Sequence, residues 1–178
     1  MKKYFTQYKP FLLFLGTFFL VYATLTGLYQ FFLSSFEGNK IDTITRMVGH
    51  NTQQFLQIFD AKARSEVNET NGYILLFYHD RYVARIIEGC NAISVIILYV
   101  SFIVAFSGKI KATLFFVFGG SFLIYVLNVF RIAILCVLIT SFPDQEHFLH
   151  TVVFPLFIYG VVFILWVVWV NKYSKYAK

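Results

Sequence analysis

Four apolar stretches, each long enough to cross a lipid bilayer, constrain this 178-residue chain more than any other feature. The hydrocarbon core of a bilayer is about 30 Å thick, so a spanning helix needs roughly 20 apolar residues. The stretches run from Phe11 to Leu33, Ile86 to Phe106, Ala112 to Phe142 and His150 to Val170. Only 13% of the residues are charged and 58% are hydrophobic, whereas soluble domains carry about 25% charged residues. A water-soluble fold would lack the polar surface to cover so much Phe, Val, Ile and Leu. The surplus apolar surface therefore faces lipid, and the expected fold class is all-α: a polytopic transmembrane helical bundle of about four spans. The third stretch, at about 30 residues, also admits a five-span reading in which it breaks near Asn128.

Orientation follows from the basic residues in the short flanks. Lys2, Lys3 and Lys9 precede the first stretch, Lys109 and Lys111 sit between the second and third, and Lys172, Lys175 and Lys178 follow the last, all without neighbouring acids. The turn near Pro143 has Asp144 and Glu146 without Lys or Arg, and residues 34–85 balance six basic residues against six acidic ones. Four spans with both termini inside satisfy every segment. The chain then divides into an inner flank (1–10), a retained first transmembrane helix (11–33) without a clear signal-peptide cleavage site, an external segment (34–85), a transmembrane core (86–170) and a basic inner tail (171–178). The net charge of +6 reads as orientation signal, and the lipid bilayer rather than nucleic acid is the expected partner. Within the external segment, Thr43 to Phe59 has a loosely helical pattern and Gly72 to Ile87 is apolar enough to lie against the membrane. Trp166 and Trp169 read as interface anchors near the inner end.

Polar groups inside apolar stretches need a reason, because each ionisable group costs roughly 2.5–3.5 kcal/mol to insert. Cys90 begins the second stretch, which enters from outside. Arg131 lies about 20 residues into the third, which at 1.5 Å per residue is roughly the full hydrocarbon thickness. His150 opens the fourth, again from outside. A thiol, a guanidinium and an imidazole thus meet at one depth. Such a set suits acyl transfer: a thiolate nucleophile favoured by nearby cations or a helix amino terminus, a histidine base and acid, and an arginine that stays protonated and stabilises negative charge. Asn128, one turn before Arg131, is placed to orient the guanidinium or a substrate carbonyl. Asn91 and Glu88 beside Cys90 are further candidates for positioning the substrate, Glu88 alternatively as an ion-pair partner of Arg85 or Arg131. Cys136 reads as a small core hydrophobe. The two cysteines match no metal-ligand spacing, and no cofactor or metal is expected. His147, three residues before His150, competes for the role of base.

The run Glu88-Gly89-Cys90-Asn91-Ala92-Ile93, then Asn128-Val129-Phe130-Arg131, then His150 ahead of an apolar span resembles the exosortase/archaeosortase family, most closely its short form, exosortase F. The resemblance covers about Ile86 to Val170. It implies a membrane-embedded cysteine transpeptidase or endopeptidase of the bacterial inner membrane, its active site facing the periplasm. Its partners would be exported proteins whose carboxy-terminal sorting signal combines a short motif, a transmembrane helix and a basic cluster. By motif position Cys90 matches the nucleophile, Arg131 the essential arginine and His150 the histidine. Asn91-Ala92 stands where a small or glycine-containing pair is usual, and Thr151 where an acidic residue is common. The alternatives are a non-enzymatic membrane subunit whose Asn128/Arg131 face binds a partner helix, and a transporter component, which should carry polar residues at mid-membrane depth.

Overall fold

The apolar stretches form helices in the computed structural model, which describes residues 2–36, 40–106 and 108–175, with 2–7 by their backbone alone. Ser107 of the expected inner turn and Lys178 of the basic tail lie outside the described residues. Helix α1 spans Lys2–Ser34. Much of its surface is apolar and exposed, Leu13, Leu20 and Phe31 among it, as suits a helix whose solvent is lipid. It packs on α3 (Ile93–Ala105), where the Phe14 ring lies 4.4 Å from that of Phe106. Helix α4 (Ile110–Ser141) runs unbroken through Asn128, so the five-span division finds no break there. It is the central helix: α3, the terminal helix and the segment between α1 and α3 all pack on it.

Among the described residues three helices are long and apolar enough to cross a membrane, Tyr8–Ser34, Ile110–Ser141 and Pro143–Lys172. Together they make the chain a multi-pass membrane protein, a helical bundle as expected. The second apolar stretch departs from expectation. Only 13 of its residues are helical, about 20 Å at 1.5 Å per residue. Its first part is spent on the end of a strand and on a 3-10 turn at Glu88–Cys90, so α3 is too short to count as a full span.

The segment between α1 and α3 builds a small α/β unit. Helix α2 (Thr43–Leu56) starts at Asp42, whose carboxylate accepts the backbone N–H groups of Ile44 and Thr45 at 2.9 Å, as a helix cap does. It buries Thr45, Val48, Gly49, Thr52 and Leu56, one face at helical spacing. Strands β1 (Arg64–Asn68), β2 (Tyr73–Tyr78) and β3 (Arg81–Ile86) follow as an antiparallel sheet in the order β1-β2-β3. On β2, Ile74, Leu76 and Tyr78 are buried and their neighbours are not, the period of two that a sheet requires. His79 and Asp80, at φ 51° and 58°, form the two-residue turn into β3, where positive φ at both positions matches the strand twist. The helical reading of Thr43 to Phe59 agrees with α2. The apolar stretch Gly72 to Ile87 forms β2 and β3 of this sheet, which packs through β2 and β3 on α4 and through β1 and β2 on α2.

The terminal helix, Pro143–Lys172, begins earlier than the sequence suggests. Pro143 opens a 3-10 turn, a place where proline's missing N–H costs nothing. The chain then passes through Glu146–Phe148 and a π turn at Leu149–Val153 before continuing as Phe154–Lys172. Trp169 is fully buried, and its indole N–H donates to the Phe106 carbonyl at 3.0 Å. It is a core residue, not the interface anchor expected. Trp166 stacks on Phe102 at 4.3 Å.

Candidate active site

Cys90 ends the 3-10 turn between β3 and α3, with its backbone N–H bonded to the Ile87 carbonyl at 2.9 Å. Four side-chain bonds around the turn hold it in place. Asn128 on α4, only 2% exposed, donates from Nδ2 to the Cys90 carbonyl at 2.8 Å. Asn91, also 2% exposed, donates from Nδ2 to the Tyr29 hydroxyl on α1 at 2.7 Å and to Thr45 Oγ1 on α2 at 3.1 Å. Its Oδ1 accepts the Ile93 N–H at 3.0 Å, capping α3. Asn91 spends both ends of its amide on the protein and Asn128 its Nδ2, and these bonds hold the cysteine turn. Ala92 bridges turn and helix at φ 65°, a left-handed conformation that glycine adopts more easily.

α3 begins at Ile93, three residues beyond Cys90. One of its free amino-terminal N–H groups is already taken by Asn91. Arg131 lines a cavity with Cys90, and its Nε is buried without a protein partner. A buried, unpaired donor of this kind costs about 1–3 kcal/mol, and an acceptor arriving with a substrate would repay it.

Cys90, Arg131 and His150 line one cavity of about 780 Å³. Its walls are β3, the carboxy-terminal half of α4 and the start of the terminal helix. No hydrogen bond among the described residues joins the three side chains, so they stand as separate groups around a shared space. His147 does not line this cavity; it lines a neighbouring one that His150 also borders. Glu88 faces elsewhere, lining a smaller cavity with Lys40 and Asp42. Among the described residues it forms no ion pair with Arg85 or Arg131. Cys136 is buried in the core between α4 and the sheet.

Three cavity residues escaped sequence reasoning. Arg81 and Arg85 come from β3, and Glu146 lies four residues before His150 in the terminal helix. The spacing of Glu146 and His150 was a usable signal, since residues four apart share a helix face. It was hidden because Pro143 reads as a helix breaker when it is the helix start.

A protein-family model described as transmembrane exosortase (Exosortase_EpsH) matches residues 8–170. No curated protein and no solved structure matches the chain.

Proposed function

The chain belongs to the transmembrane exosortase family, and from that premise we propose that it is a cysteine transpeptidase or endopeptidase cleaving carboxy-terminal sorting tails at the outer face of a bacterial inner membrane. The observation that carries this reading is the single cavity lined by Cys90, Arg131 and His150 from three separate elements. His150 takes the thiol proton, and the thiolate sulfur attacks the carbonyl carbon of the scissile bond. Arg131, permanently charged, faces the oxyanion that develops. The C–N bond then breaks, the tail's amine leaves with the proton from His150, and a thioester remains on Cys90. Water or an acceptor amine attacks that thioester and frees the thiol. Glu146, four residues before His150, lines the same cavity. A structural subunit that grips a partner helix through Asn128 is poorly supported, because that side chain is buried and bonded to Cys90.

The test co-expresses the protein with a reporter ending in a short motif, an apolar helix and a basic cluster. Cys90→Ala should abolish cleavage, by at least about 10³-fold as for other nucleophile losses, while abundance and membrane insertion stay unchanged. Cleavage that survives Cys90→Ala sinks the mechanism. The placement of the site has its own check in a Cys136→Ala background. A membrane-impermeant thiol reagent should label Cys90 on intact spheroplasts, and labelling only after lysis would put the site on the inner face.

A further inference from the structure

One wall of the cavity is a strand. Arg81 through Ile87, all of β3 and the residue after it, line the space. β3 is an edge strand, paired only with β2. Such an edge presents unpaired backbone donors and acceptors, which an added strand satisfies. The opposite edge of the sheet is treated differently. On β1, the Ser65 N–H and hydroxyl both donate to Gln53 Oε1, at 3.1 and 2.6 Å, so α2 covers part of it. Among the described residues no side chain or strand does the same for β3.

Two features identify the occupant. β3 leads directly into the cysteine turn, with Ile87, Glu88 and Gly89 the only residues between its end and Cys90, so a chain laid along it ends at the thiol. The cavity is also electropositive: Arg81, Arg85 and Arg131 line it with one carboxylate, Glu146, the Arg85 guanidinium lying over the Tyr73 ring at 5.8 Å. Arg81 and Arg85 form no ion pair among the described residues. We propose that the substrate segment just before the scissile bond docks as an added strand on the free edge of β3, with acidic side chains against Arg81 and Arg85. The proposal rests on the cysteine reading of the cavity. In it, backbone bonding sets the depth of the chain and the two arginines select its charge.

Binding can be read without chemistry, using the full-length protein in detergent with and without Cys90→Ala. The probes are three fluorescent peptides: one alternating Glu and Val, one alternating Lys and Val, and the acidic peptide with proline at every second residue. The acidic peptide should bind at least tenfold more tightly than the basic one, equally in both proteins, and the proline peptide should not bind. The double variant Arg81→Glu, Arg85→Glu should reverse the preference, a gain for the basic peptide that a misfolded protein cannot show. Arg81→Lys with Arg85→Lys should keep the original order. Equal binding of the acidic and proline peptides overturns strand addition, and so does an unchanged preference in the double variant. Disulfide crosslinking of Arg81→Cys between two copies of the chain would assign the edge to a second copy and overturn it too. Reporter cleavage with indifferent peptide binding removes the added strand and leaves the cysteine mechanism. Absence of reporter cleavage by the wild-type protein removes the mechanism and the proposal with it.

Discussion

Where α3 turns into α4, aromatic side chains fill the space between helices; at the other end, where β3 delivers Cys90, polar side chains hold a cavity open. Trp169 and Tyr99 are both fully buried at the first end. Their polar atoms donate to the carbonyls of Phe106 and Phe116 at 3.0 and 2.8 Å. Glycines make the room: a Cβ on Gly108 would lie 2.7 Å from the Trp169 ring, and one on Gly120 would overlap the Tyr99 hydroxyl. At the second end the buried residues that matter are Asn91 and Asn128, whose amides tie α1, α2, α3 and α4 to the cysteine turn. Packing gives rigidity by leaving no volume. Directional hydrogen bonds fix a backbone while leaving volume beside it, here the cavity that Cys90 lines.

The sharpest way to break this contrast is to remove one amide. Asn128→Leu should leave the Cys90 carbonyl buried and unpaired, costing about 1–3 kcal/mol. With the turn displaced, reporter cleavage should fall roughly 10²-fold, as expected when a reacting group moves by about 1 Å. A single-turnover assay beside a thermal melt separates the two effects, and unchanged cleavage would show that the bond is incidental. Gly120→Ala probes the sealed end, where overpacking should cost about 1–3 kcal/mol. The labelling rate of Cys90 in the remaining folded protein should not change, and a slowed rate would mean the two ends are coupled. Ala92→Gly should relieve the left-handed backbone beside the cysteine, raising stability by no more than about 1 kcal/mol, seen as a small upward shift in melting temperature.

The smallest effect concerns the strand hairpin. Asp60 accepts the backbone N–H groups of His79 at 2.8 Å and Lys62 at 3.1 Å. These bonds hold its carboxyl below the usual carboxylate range. A depressed folded value means that its stabilising contribution is complete above the ordinary pKa and is lost as pH falls through the lowered one. Protection of the turn amides, the exchange rate corrected for its intrinsic pH dependence, should therefore fall only in acid, below about pH 4. Asp60→Asn should abolish that dependence, and protection lost near neutral pH would point to another group.

Hydropathy made the bundle legible because lipid leaves long apolar runs few alternatives to helix. It could not reveal the sheet. Tyr73-Ile74-Leu75-Leu76-Phe77-Tyr78 is apolar on both faces, so the sequence has no alternation to betray a strand, and only the structure shows that alternate residues are buried. The meeting of Cys90, Arg131 and His150 around one space was legible from depth counting, since three polar interruptions at matched distances from the basic flanks leave little freedom. The partners of Asn91 were not, because Tyr29 and Thr45 lie 62 and 46 residues away in the chain. Trp169 was misjudged for a similar reason: tryptophan near a helix end suits an interface, and only the neighbouring carbonyl of Phe106 makes it core.

The π turn at Leu149–Val153 acts as a phase shifter in the terminal helix. Each residue of an ordinary helix advances the azimuth by roughly 100°, and a π turn absorbs one residue beyond the regular count. The lipid-crossing part can therefore keep the face that packs on α3 and α4 while His150 is aimed on a separate bearing. Losing one residue from that turn would leave the membrane anchor intact and swing the imidazole about a quarter-circle away from Cys90. The bearing of His150 is thus adjustable by a single codon, without disturbing how the protein sits in its bilayer.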